Sequence, residues 1–138
     1  MSPVLVLVTG VTVLTVVDIA FGGTFLLRVH SGGVAANPLQ KTFFRAGHAH
    51  AGVLVTLGLV VAVLTTAAGV SSGPAIAGSV LVLASAILVP AGFFLSVLGR
   101  DPQSPGRWMV SVWIGAACLS VGLVVSAVTL IHAGITAL

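Results

Sequence analysis

Charge is what this chain has least of: five Lys and Arg and two acids in 138 residues. A soluble globular protein carries roughly a quarter charged residues. That scarcity, together with 58% hydrophobic residues, excludes both a water-soluble fold and a disordered chain. Cys118 stands alone, which excludes a disulfide scaffold and the dithiol chemistry of quinone-linked disulfide-forming enzymes. Tyrosine is absent. So are a nucleophile–base pair, a phosphate-binding loop and a complete metal motif, and no enzymatic activity is assigned. The net charge of +3 does not mark a nucleic-acid binder, and no nucleic acid is expected as a partner.

What the chain does have is long apolar runs, at Pro3–Leu27, Phe43–Ala68, Pro74–Leu98 and Trp108–Ala133. Crossing a bilayer core takes about 20 residues at 1.5 Å rise, so each run is long enough to span with some tilt. Turn-forming stretches divide them: Ser31-Gly32-Gly33 with Asn37-Pro38, then Gly69 through Gly73, then Gly99 through Gly106. A barrel needs short alternating segments, and these are continuous. The expected fold is therefore all-α, a single integral membrane domain built as an antiparallel four-helix bundle.

All the basic residues fall at one end of such a bundle. Arg28, Lys41 and Arg45 lie in or beside the first connection, and Arg100 and Arg107 flank the third. By the positive-inside rule these connections are cytoplasmic and both termini lie outside, which for a bacterial protein means the inner membrane. Anionic headgroups, and membrane lipids generally, are the expected partners of these cations. The start lacks a basic leader, and its apolar run passes Asp18 to reach Leu27, too long for a signal peptide.

Helices in lipid associate through close backbone approach and interhelical hydrogen bonds. The fourth span offers Ser111, Gly115, Cys118, Gly122, Ser126 and Thr129 on one face. The third offers Ser85, Gly92 and Ser96, the second Arg45, His48, Gly52 and Thr56, and the first Thr15, Asp18 and Gly22. Trp108 is placed as an interfacial anchor and Trp113 as a packed residue. Asp101 is placed in a turn or a local ion pair.

Asp18 carries a cost of about 2.5–3.5 kcal/mol inside a span on insertion scales. Counted from the cytoplasmic end, Asp18, His48, His50 and Pro90 share a level to within roughly 6 Å. Pro90 lacks an N–H and leaves the Ala86 carbonyl without its helical donor. Gly22-Gly23 loosens the first helix nearby. The functional expectation is a polar intramembrane site in which Asp18 pairs with His48 or His50, with Arg45 at its mouth. The alternative is a neutral Asp18 serving only helix assembly.

Residues two apart on a helix diverge by about 200°, so His48 and His50 cannot both grip one ion on a continuous helix. The His-x-His at this position also occurs in haem- and copper-containing respiratory membrane proteins. His48, His50 and His30 are therefore the candidate ligands should haem or a transition metal bind. His132 lies roughly 25 Å in depth from His48, too far to complete an axial pair, and is read as an interfacial residue.

Gly23 through Arg28, the run Phe43-Phe44-Arg45-Ala46-Gly47-His48-Ala49-His50-Ala51-Gly52, and Pro90-Ala91-Gly92-Phe93-Phe94-Leu95 resemble an uncharacterised group of small four-span bacterial membrane proteins. The resemblance implies the topology and brings no catalytic residues with it. Asp18 is similar to the acidic first-span residue of small multidrug transporters, but theirs is a glutamate beside an aromatic-rich site missing here. Arg45-Ala46 and His50-Ala51 resemble part of the second-span pattern of membrane glutathione-linked enzymes, whose Asn and Glu are absent. No activity is carried over from either.

Three functions follow as expectations. The first is an oligomeric protein that binds or moves a small solute or proton at Asp18, His48 and His50. The second is a haem- or metal-dependent redox protein using His48 or His50. The third is an accessory subunit of a larger membrane complex.

Overall fold

The computed structural model describes residues 1–70 and 73–138. It contains four helices: α1 (Pro3–His30), α2 (Pro38–Ala67), α3 (Gly73–Ser96) and α4 (Met109–Thr136). All four are long and apolar enough to cross a membrane, so the chain is a multi-pass membrane protein with an all-helical fold. Ser71 and Ser72, in the second turn-forming stretch, lie outside the described residues.

α1 and α2 outrun their apolar runs at the end carrying the basic residues, whereas α3 stops at Ser96, short of Leu98, and α4 starts at Met109 and runs on past Ala133 to Thr136. α2 begins at Pro38 rather than Phe43 because Asn37 caps it: its side chain accepts from the Gln40 N–H while the Gln40 side chain accepts from the Asn37 N–H. Proline at the first helical position costs nothing, since that N–H has no partner in a helix. α1 starts the same way, with Ser2 capping the Leu5 N–H ahead of Pro3. It continues past Leu27 to His30, with Arg28 and His30 in the last turn where cations oppose the helix dipole. After α2 the chain turns at Gly69, φ +69°, which lets the Val70 N–H reach the Thr65 carbonyl.

Packing follows the small residues. A Cβ at Gly92 would stand 2.6 Å from the Val112 backbone nitrogen, one at Gly115 2.9 Å from that of Val89, and one at Gly122 2.9 Å from the Gly78 carbonyl. α3 and α4 thus touch backbone to backbone, and Ser111 adds an interhelical hydrogen bond to the Leu88 carbonyl at 2.8 Å. Between α2 and α3, Gly47 receives the Phe94 ring and Gly58 receives Leu83. Partner numbers fall along one helix as they rise along the other. α3 is the most buried helix and α1 the least. α1 rests mainly on α2, touches α3 and does not reach α4. Its only buried residues are Leu5 near one end and Val29 near the other.

The end carrying the basic residues is closed by an aromatic core and a polar clasp. Phe44 lies 5.3 Å from Phe25 and 5.5 Å from Phe94, centroid to centroid, with Val29 and Val97 buried beside it. The buried Gln40 side chain donates to the Val97 and Gly99 carbonyls, both at 3.1 Å. Asn37 donates to the Asp101 carboxylate and the Pro102 carbonyl, both at 2.8 Å. Asp101 therefore takes up a turn position, φ +51°, and its carboxylate is a hydrogen-bond acceptor for the first connection. Trp113 departs from expectation: it is 70% exposed, because the face of α4 that meets α3 is the one carrying Gly115 and Gly122. Trp108 is half-exposed under the Arg107 guanidinium, 5.9 Å from its ring centre.

Candidate functional site

α1 turns Thr12, Thr15, Asp18 and Gly22 toward its neighbours at steps of three, three and four, one face of a helix. These residues form one wall of a groove of about 280 Å³. α2 supplies His48, Ala51 and Val55 to it, and α3 supplies Leu83, Ala86, Ile87 and Phe94. Asp18 and His48 thus line one cavity, and among the described residues no hydrogen bond or ion pair joins them.

The threonines of the wall are already committed. Thr12 donates to the Val8 carbonyl at 2.8 Å and Thr15 to the Thr12 carbonyl at 2.7 Å, the back-bonding expected of hydroxyls inside a helix. The threonine oxygens can still accept but have no proton left to give, and Asp18 and His48 are the groove's polar side chains that make no hydrogen bond among the described residues. Ala86, whose carbonyl loses its helical donor to Pro90, lines the same groove.

His48 is seated by glycine. A Cβ at Gly22 would lie 3.5 Å from its Nδ1, and one at Gly23 3.6 Å from its Nε2. The paired glycines bring the backbone of α1 under the imidazole, and larger residues there would occupy its space. Gly47, one residue earlier on α2, is packed against Phe93 and Phe94, which fixes the helix from the opposite side.

His50 faces another way, as the 200° separation requires. Its Nδ1 lies 2.7 Å from the Ala46 carbonyl. A carbonyl only accepts, so that ring nitrogen is the donor, and Nε2 makes no hydrogen bond among the described residues. The ring leans on Phe93 at 5.2 Å, and the side chain is exposed. Arg45 is exposed and does not line the groove. His30 is the exposed last residue of α1, and His132 is exposed near the end of α4. Among the described residues no three His, Cys, Asp or Glu side chains come together around a point where a metal could sit, so His30, His48 and His50 do not form a ligand set within one chain.

Leu83 and Ile87 of the α3 wall were not singled out from sequence, and Phe94 entered only within the Pro90–Leu95 run. Nothing distinguishes an aliphatic residue facing a groove from one facing lipid. Thr12 was legible in principle, three residues before Thr15 and six before Asp18.

Fold and groove together define a small multi-pass membrane protein with a carboxylate and an imidazole on one lateral cavity. No family model, curated protein or solved structure matches the chain.

Proposed function

We propose that this protein binds a small solute or proton at the Asp18–His48 groove and moves it by rearrangement of α1 against α2. The reading takes the helices as an antiparallel bundle with both termini outside and the basic end in the cytoplasm of a bacterial inner membrane. In that membrane the chain works as a homo-oligomer or within a larger membrane complex. The observation that carries the reading is the shared groove: the one acid inside a span and a histidine from the next helix line it, neither bonded to the other. An unsatisfied acid within a span is costly, and such residues mark ion, proton or substrate sites. α1, the least buried helix, is the element free to respond.

The test compares wild type and Asp18→Asn in liposomes holding a pH-sensitive dye, with a pH gradient imposed. Wild type is expected to dissipate the gradient faster than empty liposomes, and Asp18→Asn to lose that activity at unchanged thermal stability. Equal rates for the two proteins overturn the reading.

The geometry of His50 favours one second reading, haem or metal ligation by a redox protein. Its Nδ1–H is held by a carbonyl and its side chain is exposed, the arrangement that orients ligating histidines. A second ligand would then come from another copy or another subunit. Protein purified from its native membrane would show a Soret band or stoichiometric metal, both lost in His50→Ala. The absence of both signals removes this reading.

A further inference from the structure

Two ionisable side chains stand exposed on the flank of the bundle at one depth. Asp18 lies twelve residues before the end of α1 at His30, and His50 lies twelve residues after the start of α2 at Pro38. Both are exposed. At 1.5 Å per residue each is about 18 Å from the basic end of its helix. The seat of His48 on Gly22 and Gly23 fixes the register of α1 against α2, and by that register Asp18 and His50 are level to within about 4 Å.

Ionisable groups inside a span face protein or water and pair with one another. Within one chain this pair cannot form, because His48 points at α1 and His50, two residues on, points about 200° away from it. His48 is no substitute. It lines the same groove as Asp18, but its ring sits on Gly22 and Gly23, a turn nearer the basic end. Among the described residues no hydrogen bond joins it to the carboxylate. All five lysines and arginines lie closer to that end than Asp18 or His50, so none stands at their level.

His50 borders a surface open to another helix. Its Nδ1 is occupied by the Ala46 carbonyl, which leaves Nε2 to meet a partner. Val53 and Leu57, three and seven residues later on the same face, line a shallow groove along α2 with Gly52, Thr56 and Val60. A Cβ at Gly52 would meet nothing within 4 Å. α2 thus presents bare backbone there, on which a second helix can lie close. α1, the least buried helix, carries the acid that such a neighbour needs.

We infer that copies of this chain associate side by side, Asp18 of one against His50 of the next. A proton held between the carboxylate and Nε2 bonds both groups, whichever of them carries it. The two residues lie on different faces of one chain, so the contact is head-to-tail rather than two-fold. Their common depth keeps every copy the same way up, and the contact repeats around an axis along the membrane normal. The carboxylate then stands between His48 of its own chain and His50 of the neighbouring copy. This assigns a partner residue to the Asp18 groove and holds whether or not the groove carries a solute.

The test is cross-linking of the full chain in liposomes, in a Cys118→Ala background that removes the sole native thiol. Leu14, four residues before Asp18, and Val53, three after His50, are 70% and 65% exposed and mark the two faces. Oxidation of the Leu14→Cys, Val53→Cys double variant is expected to give a ladder of dimers and higher multimers, and either cysteine alone no cross-link. Asp18→Leu or His50→Leu in that double variant is expected to cut the yield at least roughly threefold, the average worth of one interhelical hydrogen bond. Exchanging the pair, Asp18→His with His50→Asp, is expected to restore it. A dimer from either single cysteine means a two-fold contact and overturns the inference. So does the lack of a ladder, or a ladder that both leucine variants leave unchanged. Proton flux reports separately. If the ladder behaves as expected but Asp18→Asn leaves flux unchanged, the interface stands and the solute reading falls. If the ladder is missing while Asp18→Asn abolishes flux, the interface falls and the solute reading stands.

Discussion

The imidazole of His48 rests on the backbone of Gly22, its Nδ1 3.5 Å from where a Cβ would stand. That distance is an ordinary contact. Gly22→Ala is therefore expected to leave thermal stability in detergent at or slightly above wild type, since alanine is favoured over glycine in a helix by up to about 1 kcal/mol. Gly22→Leu must displace the ring and is expected to lower stability by about 1–3 kcal/mol. Unfolding midpoints of the two variants compared with wild type check both.

Gly58 and Leu83 form a tighter pair. A Cβ at Gly58 would stand 2.9 Å from the Leu83 Cγ, so Gly58→Ala is expected to destabilise the α2–α3 contact by about 1–3 kcal/mol. The obstacle is a side chain, and Leu83→Ala removes it. The double variant should be more stable than the sum of the two single losses predicts, a coupling read from a double-mutant cycle.

No such rescue exists for Gly122. Its new Cβ would meet the Gly78 carbonyl and the Val82 nitrogen, each at 2.9 Å, and backbone cannot be trimmed. Gly122→Ala is expected to force α3 and α4 apart, with a fall in melting temperature that no substitution at Val82 restores. Ser111→Ala should be much milder, about 0.6 kcal/mol, the average measured for interhelical hydrogen bonds in a membrane protein.

Gln40 is expected to hold the third connection in place. Gln40→Ala leaves the Val97 and Gly99 carbonyls without the donor they share and the Asn37 N–H without its acceptor. A loss of about 1–3 kcal/mol is expected. Hydrogen exchange should localise it: the Gly106 amide, bonded to the Ser96 carbonyl, is expected to exchange faster while amides in the middle of α4 do not change.

Much of this architecture could be read from the chain, and the gaps have physical causes. Apolar length reveals that a helix spans, because lipid imposes the length. It does not reveal which helices pair, because lipid tails and protein interiors are equally apolar to a leucine. The peripheral position of α1 and the exposure of Trp113 were invisible for that reason. The glycine and serine face of α4 was legible, since backbone contact demands small residues at regular spacing. The divergence of His48 and His50 followed from helical geometry alone. Asn37 entered the sequence reading only as a turn residue, and the grip of Asn37 and Gln40 on Val97, Gly99 and Asp101 joins segments remote in sequence, which no local pattern encodes. The groove was half legible: Asp18 and His48 drew notice by their rarity, while Leu83 and Ile87 had nothing to set them apart.

Leu5 and Val29, the two buried residues of α1, sit near its opposite ends. Between them α1 is held only by partly buried residues, Ile19 on the α2–α3 core and Gly22-Gly23 under the His48 ring. Its anchorage is deepest at the two ends and shallow in the middle, and Asp18 belongs to that shallow stretch.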